Sequence, residues 1–290
     1  MQVLITGGSG FIGSNLYNAL WMLDDPEPIV PTKEELDITN SKQVDEYIRE
    51  HQPDVVVHLA ANSNVVDSID DPATDAKTNI GGTINLVTAS ERPWANVKKF
   101  IYASTIYVYG EGLNHMETEL LYPTTPYSIS KLAGEYYVRR SDLITTILRF
   151  TNVYGGNTLK GGSKVVTKFM QLAEDNKEPI LYGKDDKALR DYIYIDDVVN
   201  AIKLMIFNDH LGTFNVCTGV PTSLMSLWNM ICDIYGKKIE PMYSEPRLGE
   251  LIWCVGCPDK LQELTGFEPK YSLSDGIRKI KEIEKNGQER

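Results

Sequence analysis

The stretch that most constrains the fold lies at the start of the chain. A short apolar run with β-branched members, Gln2–Thr6, gives way to Gly7-Gly8-Ser9-Gly10-Phe11-Ile12-Gly13, and apolar residues then recur at helical spacing from Phe11 to Leu23. The pattern reads as strand, tight turn, helix. Glycines at the first, fourth and seventh positions of the turn let the backbone bend sharply, approach a pyrophosphate and present amide N–H groups at the positive end of the helix. A glycine triad alone is a weak signal. Placed at the first strand-to-helix turn of an alternating chain, it argues for a bound dinucleotide over a purely structural turn.

That alternation continues. Apolar strand candidates follow at Pro28–Val30, Val55–Ala60, Phe100–Ala103 and Thr145–Phe150, with helical patterns around Ser41–Glu50 and Ala76–Ser90. Strands alternating with helices predict a parallel sheet with right-handed crossovers, covered on both faces. The expected fold class is α/β, a Rossmann-type doubly wound parallel sheet with a smaller α/β substrate-binding lobe. The dinucleotide-binding part is expected over residues 1–151, with return segments near 185–210, and the lobe over residues 152–290. Beyond Asn152 the alternation loosens into glycine-bearing loops, and Asp275–Arg290 reads as a charged amphipathic helix with a fraying end.

Composition excludes several function classes. Hydrophobic residues make up 42% and charged residues 24%, the balance of an ordinary globular protein rather than a disordered one. The formal charge of −11 argues against binding nucleic acid, whose affinity rests largely on Lys and Arg neutralising phosphates, so an anionic small ligand needs a local basic pocket. No run approaches the ~20 apolar residues of a membrane helix, and the N-terminus shows no basic segment, apolar stretch and cleavage site in succession, so a cytoplasmic protein with no membrane partner is expected. Four cysteines (Cys217, Cys232, Cys254, Cys257) do not form a disulfide framework, and the lone Cys-x-x-Cys lacks a second ligand pair, so a structural role is preferred and no metal is expected.

Tyr127 follows Pro126 at a predicted helix start, and Lys131 lies one turn later on the same face. An ammonium close to a phenol stabilises the phenolate and lowers its pKa from an unperturbed ~10, which a general base requires. Alone, such a pair is more often a solvated helix face; the glycine turn upstream reverses that preference. Ser104 and Thr105 follow the strand Phe100–Ala103 at the carboxyl edge, where open parallel sheets bind ligands, so a hydroxyl there can bond the substrate oxygen that exchanges its proton.

With these motifs in place, the sequence resembles the extended short-chain dehydrogenase/reductase family, in particular its nucleotide-sugar epimerases, dehydratases and reductases. The resemblance covers nearly the whole chain. TGGSGFIGSNL at Thr6–Leu16 looks like the cofactor turn, HLAA at His58–Ala61 like the strand end that walls the cofactor, and NIGGTINLV at Asn79–Val87 like the family's Asn-bearing helix start. STIYVYG at Ser104–Gly110 resembles the catalytic strand end with Thr105 at the hydroxyl position, and YSISK at Tyr127–Lys131 matches the catalytic pair. The resemblance implies cofactor contacts at Gly7, Gly10, Phe11, Ile12, Gly13, Leu59, Ala60, Ala61, Asn79, Tyr127 and Lys131, with Asp37 and Ile38 at the adenine. For the substrate it implies Asn152 in RFTNVYG and Arg190 in RDYIYIDDVV at the nucleotide diphosphate, and Arg247 and Glu250 in PRLGE at phosphate and ribose. Each arginine alone would be read as a surface ion pair; two converging on a diphosphate make sense in an acidic protein. A homodimer is implied as well.

Departures from the family pattern narrow the activity. Dehydratases carry an Asp-Glu pair after the catalytic Thr, where this chain has Ile106 and Tyr107, so dehydration is not expected. NAD-preferring members end the second strand on an acidic residue; here Thr32 and Lys33 lean toward NADP, while Glu34 and Glu35 lie close enough to keep NAD open. The favoured reading is 4-epimerisation of a nucleotide diphosphate hexose, as in UDP-glucose 4-epimerases, through a 4-keto intermediate. Its rival is NADPH-dependent reduction of a nucleotide 4-keto-6-deoxy sugar, suggested by the second strand and the short Pro31–Asn40 link after it. A non-catalytic dinucleotide sensor is the reading from another class, and the combined Thr105, Tyr127 and Lys131 argue against it.

Overall fold

The computed structural model describes residues 1–156, 164–182, 188–245 and 252–288. Six strands form a parallel sheet: β1 (Gln2–Thr6), β2 (Glu27–Ile29), β3 (Val55–His58), β4 (Lys99–Thr105), β5 (Ile144–Phe150) and β6 (Gly212–Val216), in the spatial order β2-β1-β3-β4-β5-β6. The fold is therefore the doubly wound α/β sheet expected from the alternation.

The near-continuous apolar strands are explained by burial on both faces. Along β1, Val3 and Ile5 face one layer with Leu16 and Leu20 of helix α1 (Phe11–Trp21). Leu4 faces the other, with Val44 and Ile48 of α2 (Ser41–His51) and Leu86 of α3 (Gly82–Ser90). The strand order reverses between β1 and β3, and the crevice outside their carboxyl ends is the ligand position of open sheets.

Three departures from the sequence reading have local causes. The segment expected as one helix from Ala76 to Ser90 is helical throughout but includes a wider π turn at Lys77–Gly81, between the short helix Pro72–Ala76 and α3. Asn79 in that turn is buried, and Gly82 lies so close to Ile38 that a Cβ would come within 2.5 Å of its Cδ1. Ser104 and Thr105 end β4 rather than follow it, and β3 stops at His58, two residues short of its expected end.

Helix α4 (Pro126–Arg140) carries Tyr127 and Lys131. It starts where it does because Thr125 accepts from Ser128 N at 3.2 Å while Ser128 Oγ accepts from Thr125 N at 3.1 Å, a reciprocal cap, with Pro126 fitting the first helical position. A buried ionic cluster fixes α4 to the sheet. Arg149 of β5 donates to Glu135 of α4 from Nε at 2.9 Å and Nη2 at 2.7 Å, and Ser104 Oγ of β4 donates to the same carboxylate at 2.5 Å. Both charged side chains are fully enclosed, at 0% and 1% exposure, with the Arg149 guanidinium also over the Tyr109 ring.

The smaller lobe is built from short strands. Asn152–Tyr154 pairs with Tyr192–Tyr194, Ile180–Tyr182 with Met242–Ser244, and a four-stranded sheet takes Thr222–Ser223, Leu189–Arg190, Trp253–Gly256 and Gly112–His115. Gly112–His115 thus joins the lobe from the first half of the chain, while β6 returns to the large sheet beyond the 185–210 segment expected to do so. α5 (Ile195–Phe207) returns with it, its last turn capped by Lys99 Nζ, which donates to the carbonyls of Met205, Ile206 and Asn208. The C-terminal helix spans Leu273–Gln288. Cys254 and Cys257 are buried thiols, raised above their usual pKa by burial, Cys254 to about 12.

Removing Glu135 would leave Arg149 charged and unpaired inside the protein. Glu135→Ala is expected to lower stability by about 3–5 kcal/mol, read as a shift in the urea unfolding midpoint, and Glu135→Ala combined with Arg149→Met to recover part of that loss.

Candidate active site

At the carboxyl edge of the sheet lies one large cleft of about 1470 Å³. The turn after β1 forms its floor. Gly7 adopts φ +71°, and a Cβ there would come within 2.7 Å of Ala60 N; a Cβ on Gly13 would come within 2.3 Å of the Gly7 carbonyl oxygen. Gly10 precedes α1 as its N-cap without a side-chain cap, and the first turn carries no acidic residue. Free amides at a helix start, no covering side chain and no competing carboxylate together suit a pyrophosphate.

The rest of the cleft has the length of a dinucleotide. Phe11, Ile12, Leu59, Ala60 and Ala61 line it beside the turn, and Thr32, Lys33, Asp37 and Ile38 line its far end. Glu35 folds back there: its carboxylate accepts from Thr32 N at 2.8 Å, so a negative charge stands three residues beyond the end of β2. Asp37 accepts from Thr39 N and Oγ1, both at 2.9 Å. These Thr39 bonds hold its carboxyl below the usual range, with Lys33 and Lys77 adding to the effect.

Near the middle of the edge, Thr105, Tyr127 and Lys131 all line the cleft. The Thr105 hydroxyl accepts from Tyr107 N at 3.3 Å, capping the turn Ile106–Tyr109. In this state burial raises the Tyr127 pKa above its ordinary value, the nearby Thr105 hydroxyl opposes the rise, and Tyr107 and Asp75 add to it. Burial lowers Lys131 to about 7 against the pull of Glu135 and Asp75, and its Nζ sits 4.3 Å from the centre of the Tyr102 ring. The expectation that Lys131 depresses the phenol is therefore not met by the protein alone: the lysine leans on Tyr102, and burial dominates at Tyr127.

Two residues expected to touch ligand make their side-chain hydrogen bonds within the protein, although Ser104 also lines the cleft. Ser104 gives its hydroxyl proton to Glu135 because the buried cluster needs it. Asn79 lies behind the cleft wall: Nδ2 donates to Asn62 O, Asp75 Oδ1 and Ser130 Oγ, and Oδ1 accepts from Asn62 N. Its place in the wide turn makes it a brace between that turn and α4.

On the lobe side, Asn152 and Arg190 line the cleft. Asn152 accepts from the Tyr107 hydroxyl at 3.0 Å and donates to Asp191 O at 3.0 Å; Arg190 Nη1 donates to the carbonyls of Leu189 and Ile252. Arg247 and Glu250 lie outside the described residues. Lys164 and Lys168, one turn apart on the helix Lys164–Glu174, also line this side and were not read from the sequence. Their i, i+4 spacing was the available signal. They and Arg190 supply the local positive charge that an anionic ligand needs in an acidic chain.

His58 closes the wall under the turn. Thr83 Oγ1 gives its proton to Asn79 O, so His58 Nε2 donates to Thr83 at 3.1 Å while Nδ1 accepts from Thr6 Oγ1 at 2.7 Å. This fixes a neutral imidazole, and burial, with Lys131 adding, lowers its pKa to about 3.

Fold and cleft together define a Rossmann-type dinucleotide enzyme. Residues 3–217 match the NAD dependent epimerase/dehydratase family, and the chain belongs to that family, whose members are NAD-dependent enzymes acting on sugar nucleotides. It is 32% identical to a putative UDP-glucose 4-epimerase of Methanocaldococcus jannaschii, over 98% of this chain and 99% of that one. Among solved structures it is similar to UDP-glucose 4-epimerase of Thermus thermophilus in complex with NAD (TM-score 0.88, 32% identity, 97% of each chain covered). It is equally similar to the Thermotoga maritima UDP-glucose 4-epimerase with UDP-glucose (TM-score 0.88, 34% identity, 99% and 100% covered). Among the described residues no helix is long and apolar enough to cross a membrane.

The neutral His58 has a measurable consequence. Its folded pKa lies below the unfolded value near 6.5, so the unfolded state binds the extra proton as pH falls, and stability present above pH 6.5 is lost below it. From this residue, a loss of roughly 2 kcal/mol is expected between pH 8 and pH 5, seen by denaturant unfolding, with a shallower fall in His58→Gln.

Proposed function

We propose that this protein is an NAD-dependent 4-epimerase of a nucleotide diphosphate hexose, with a UDP-hexose as the first candidate substrate. The observation that carries the reading is that Thr105, Tyr127 and Lys131 line one cleft, the last two one turn apart on the same helix, together with the glycine turn. Opposite the pair, Ile106 is buried and Tyr107 points its hydroxyl at Asn152, so neither position offers the carboxylate a dehydratase would use. The similarity to UDP-glucose 4-epimerases over nearly the whole chain supports the same reading.

Gly7, Gly10 and Gly13 would cradle the dinucleotide pyrophosphate, Leu59 and Ala60 wall it, and Asp37 and Ile38 meet the adenine. The chemistry supplied by a bound nicotinamide is reversible hydride acceptance from a sugar carbon. Tyr127, as phenolate, takes the proton of the sugar C4 hydroxyl and returns it after the 4-keto sugar has turned in the site. Thr105 holds the same oxygen. Lys131, as ammonium, binds the nicotinamide ribose and favours the phenolate once ligands exclude water. Asn152, Arg190, Lys164 and Lys168 hold the diphosphate, and Arg247 and Glu250 complete its grip.

The cofactor is read as NAD because the Glu35 carboxylate stands beside Thr32, where a 2′-phosphate would meet it. Lys33 and Lys77 line the same end, so NADP competition belongs in the first binding assay. The reductase rival, drawn from the second strand and the short link after it, is not favoured, since the relatives similar over nearly the whole chain are UDP-glucose 4-epimerases. The protein is further read as cytoplasmic and homodimeric.

Tyr127→Phe is the direct test. Turnover is expected to fall by about 10²–10⁴-fold, the span of general acid–base catalysis, with dinucleotide affinity within a factor of two or so of the parent. Undiminished epimerisation by Tyr127→Phe would sink the assignment, and steady net oxidation of NADPH by the parent with a 4-keto sugar would revive the reductase.

A further inference from the structure

Behind the acid–base pair sits a buried carboxyl that the chemistry above does not use. Asp75, in the last turn of the short helix Pro72–Ala76, is only 1% exposed. Its Oδ1 accepts from Asn79 Nδ2 at 2.9 Å, and that nitrogen also donates to Ser130 Oγ at 3.0 Å. Ser130 lies on α4 between Tyr127 and Lys131, and its hydroxyl donates to the Tyr127 carbonyl at 2.9 Å. Asp75 Oδ2 is buried without a hydrogen-bond partner. An isolated buried carboxylate is costly unless a cation compensates it. Burial accordingly raises the Asp75 carboxyl above its ordinary range, and Ser130 and the charge of Lys131 oppose the rise.

We propose that Asp75 is a positioning residue for the acid–base pair, its carboxylate held on Asn79 so that it keeps Lys131 an ammonium ion beside Tyr127. The inference rests on the roles assigned above to Tyr127 and Lys131. The groups around them set the sign. Burial lowers Lys131 while Glu135, one turn along α4, and Asp75, from the neighbouring helix, raise it. At Tyr127, burial raises the phenol and Thr105 opposes it, while Tyr107 and Asp75 raise it further. Tyr102, packed against the lysine, also feels Asp75, after larger effects from burial, Thr83, Glu135 and Tyr127. Neutralising Asp75 therefore lowers both members of the pair together, which a purely structural residue would not do.

Asp75→Asn keeps an acceptor for Asn79 and removes the charge. In the dinucleotide-free protein, the Lys131 titration is followed by the Cε resonance of labelled lysine that is absent from Lys131→Met. It is expected to start near 7 and to fall by on the order of one pH unit in Asp75→Asn. In the turnover profile, both the acid limb (Tyr127) and the alkaline limb (Lys131) are expected to move to lower pH. A folded Asp75→Asn protein whose Lys131 titration is unmoved overturns the proposal. If that variant does not fold, the Asp75 Cγ resonance of the unsubstituted protein decides: an ionised carboxyl at pH 7 supports the proposal and a protonated one overturns it. The lysine titration needs no turnover, so a failure of the epimerase reading shows separately as an absence of epimerisation.

Discussion

The close approach of the first turn to the end of β3 is the constraint on which the rest of the structure depends. With Gly7 at φ +71° and no room for a Cβ against Ala60, the backbone after β1 lies directly on the wall made by Leu59 and Ala60. Gly13 then packs against the Gly7 carbonyl, which brings the free amide end of α1 to the point where the strand order reverses. The crevice is thus lined by backbone, and its selectivity comes from what surrounds it: Glu35 and Asp37 at one end, and Lys164, Lys168 and Arg190 at the other.

The second determinant is how α4 is held. Its reciprocal Thr125–Ser128 cap sets where the helix begins, and the Glu135–Arg149 pair with Ser104 sets how it lies on the sheet. Tyr127 and Lys131 are fixed between these two anchors, one near the cap and one near the cluster. Their surroundings are dry, which raises the phenol and lowers the ammonium in the protein by itself. A dry site that raises the phenol and lowers the ammonium limits how much uncompensated charge is buried before ligand arrives, and the charge of Asp75 limits how far Lys131 falls.

Much of this was legible in the sequence because it follows from local rules. The glycine turn, the strand alternation and the Pro126 helix start each have a short-range physical cause, and the elements they predict lie where expected to within a few residues. The side-chain partners that the sequence did not show lie far along the chain. Ser104 looked like a substrate-binding hydroxyl, but Glu135 and Arg149 claim it across the helix–sheet boundary. Asn79 looked like a cofactor contact, but it braces the turn against Ser130. The Glu35 carboxylate folds back to Thr32, beyond a strand end that appeared free of acid, through a turn only four residues long. Gly112–His115 and β6 likewise exchange between the two bodies, because sheet pairing over long separations is invisible to a local pattern.

In a 4-epimerase, hydride leaves and returns to the same sugar carbon inside one closed site. Conversion of UDP-hexose labelled with deuterium at C4, by purified protein without added cofactor, followed by NMR and mass spectrometry, puts this to the test. The expected product is the C4 epimer with its deuterium retained, and NAD recovered from the protein in stoichiometric amount. Loss of the deuterium to solvent, or its appearance in released dinucleotide, would contradict it.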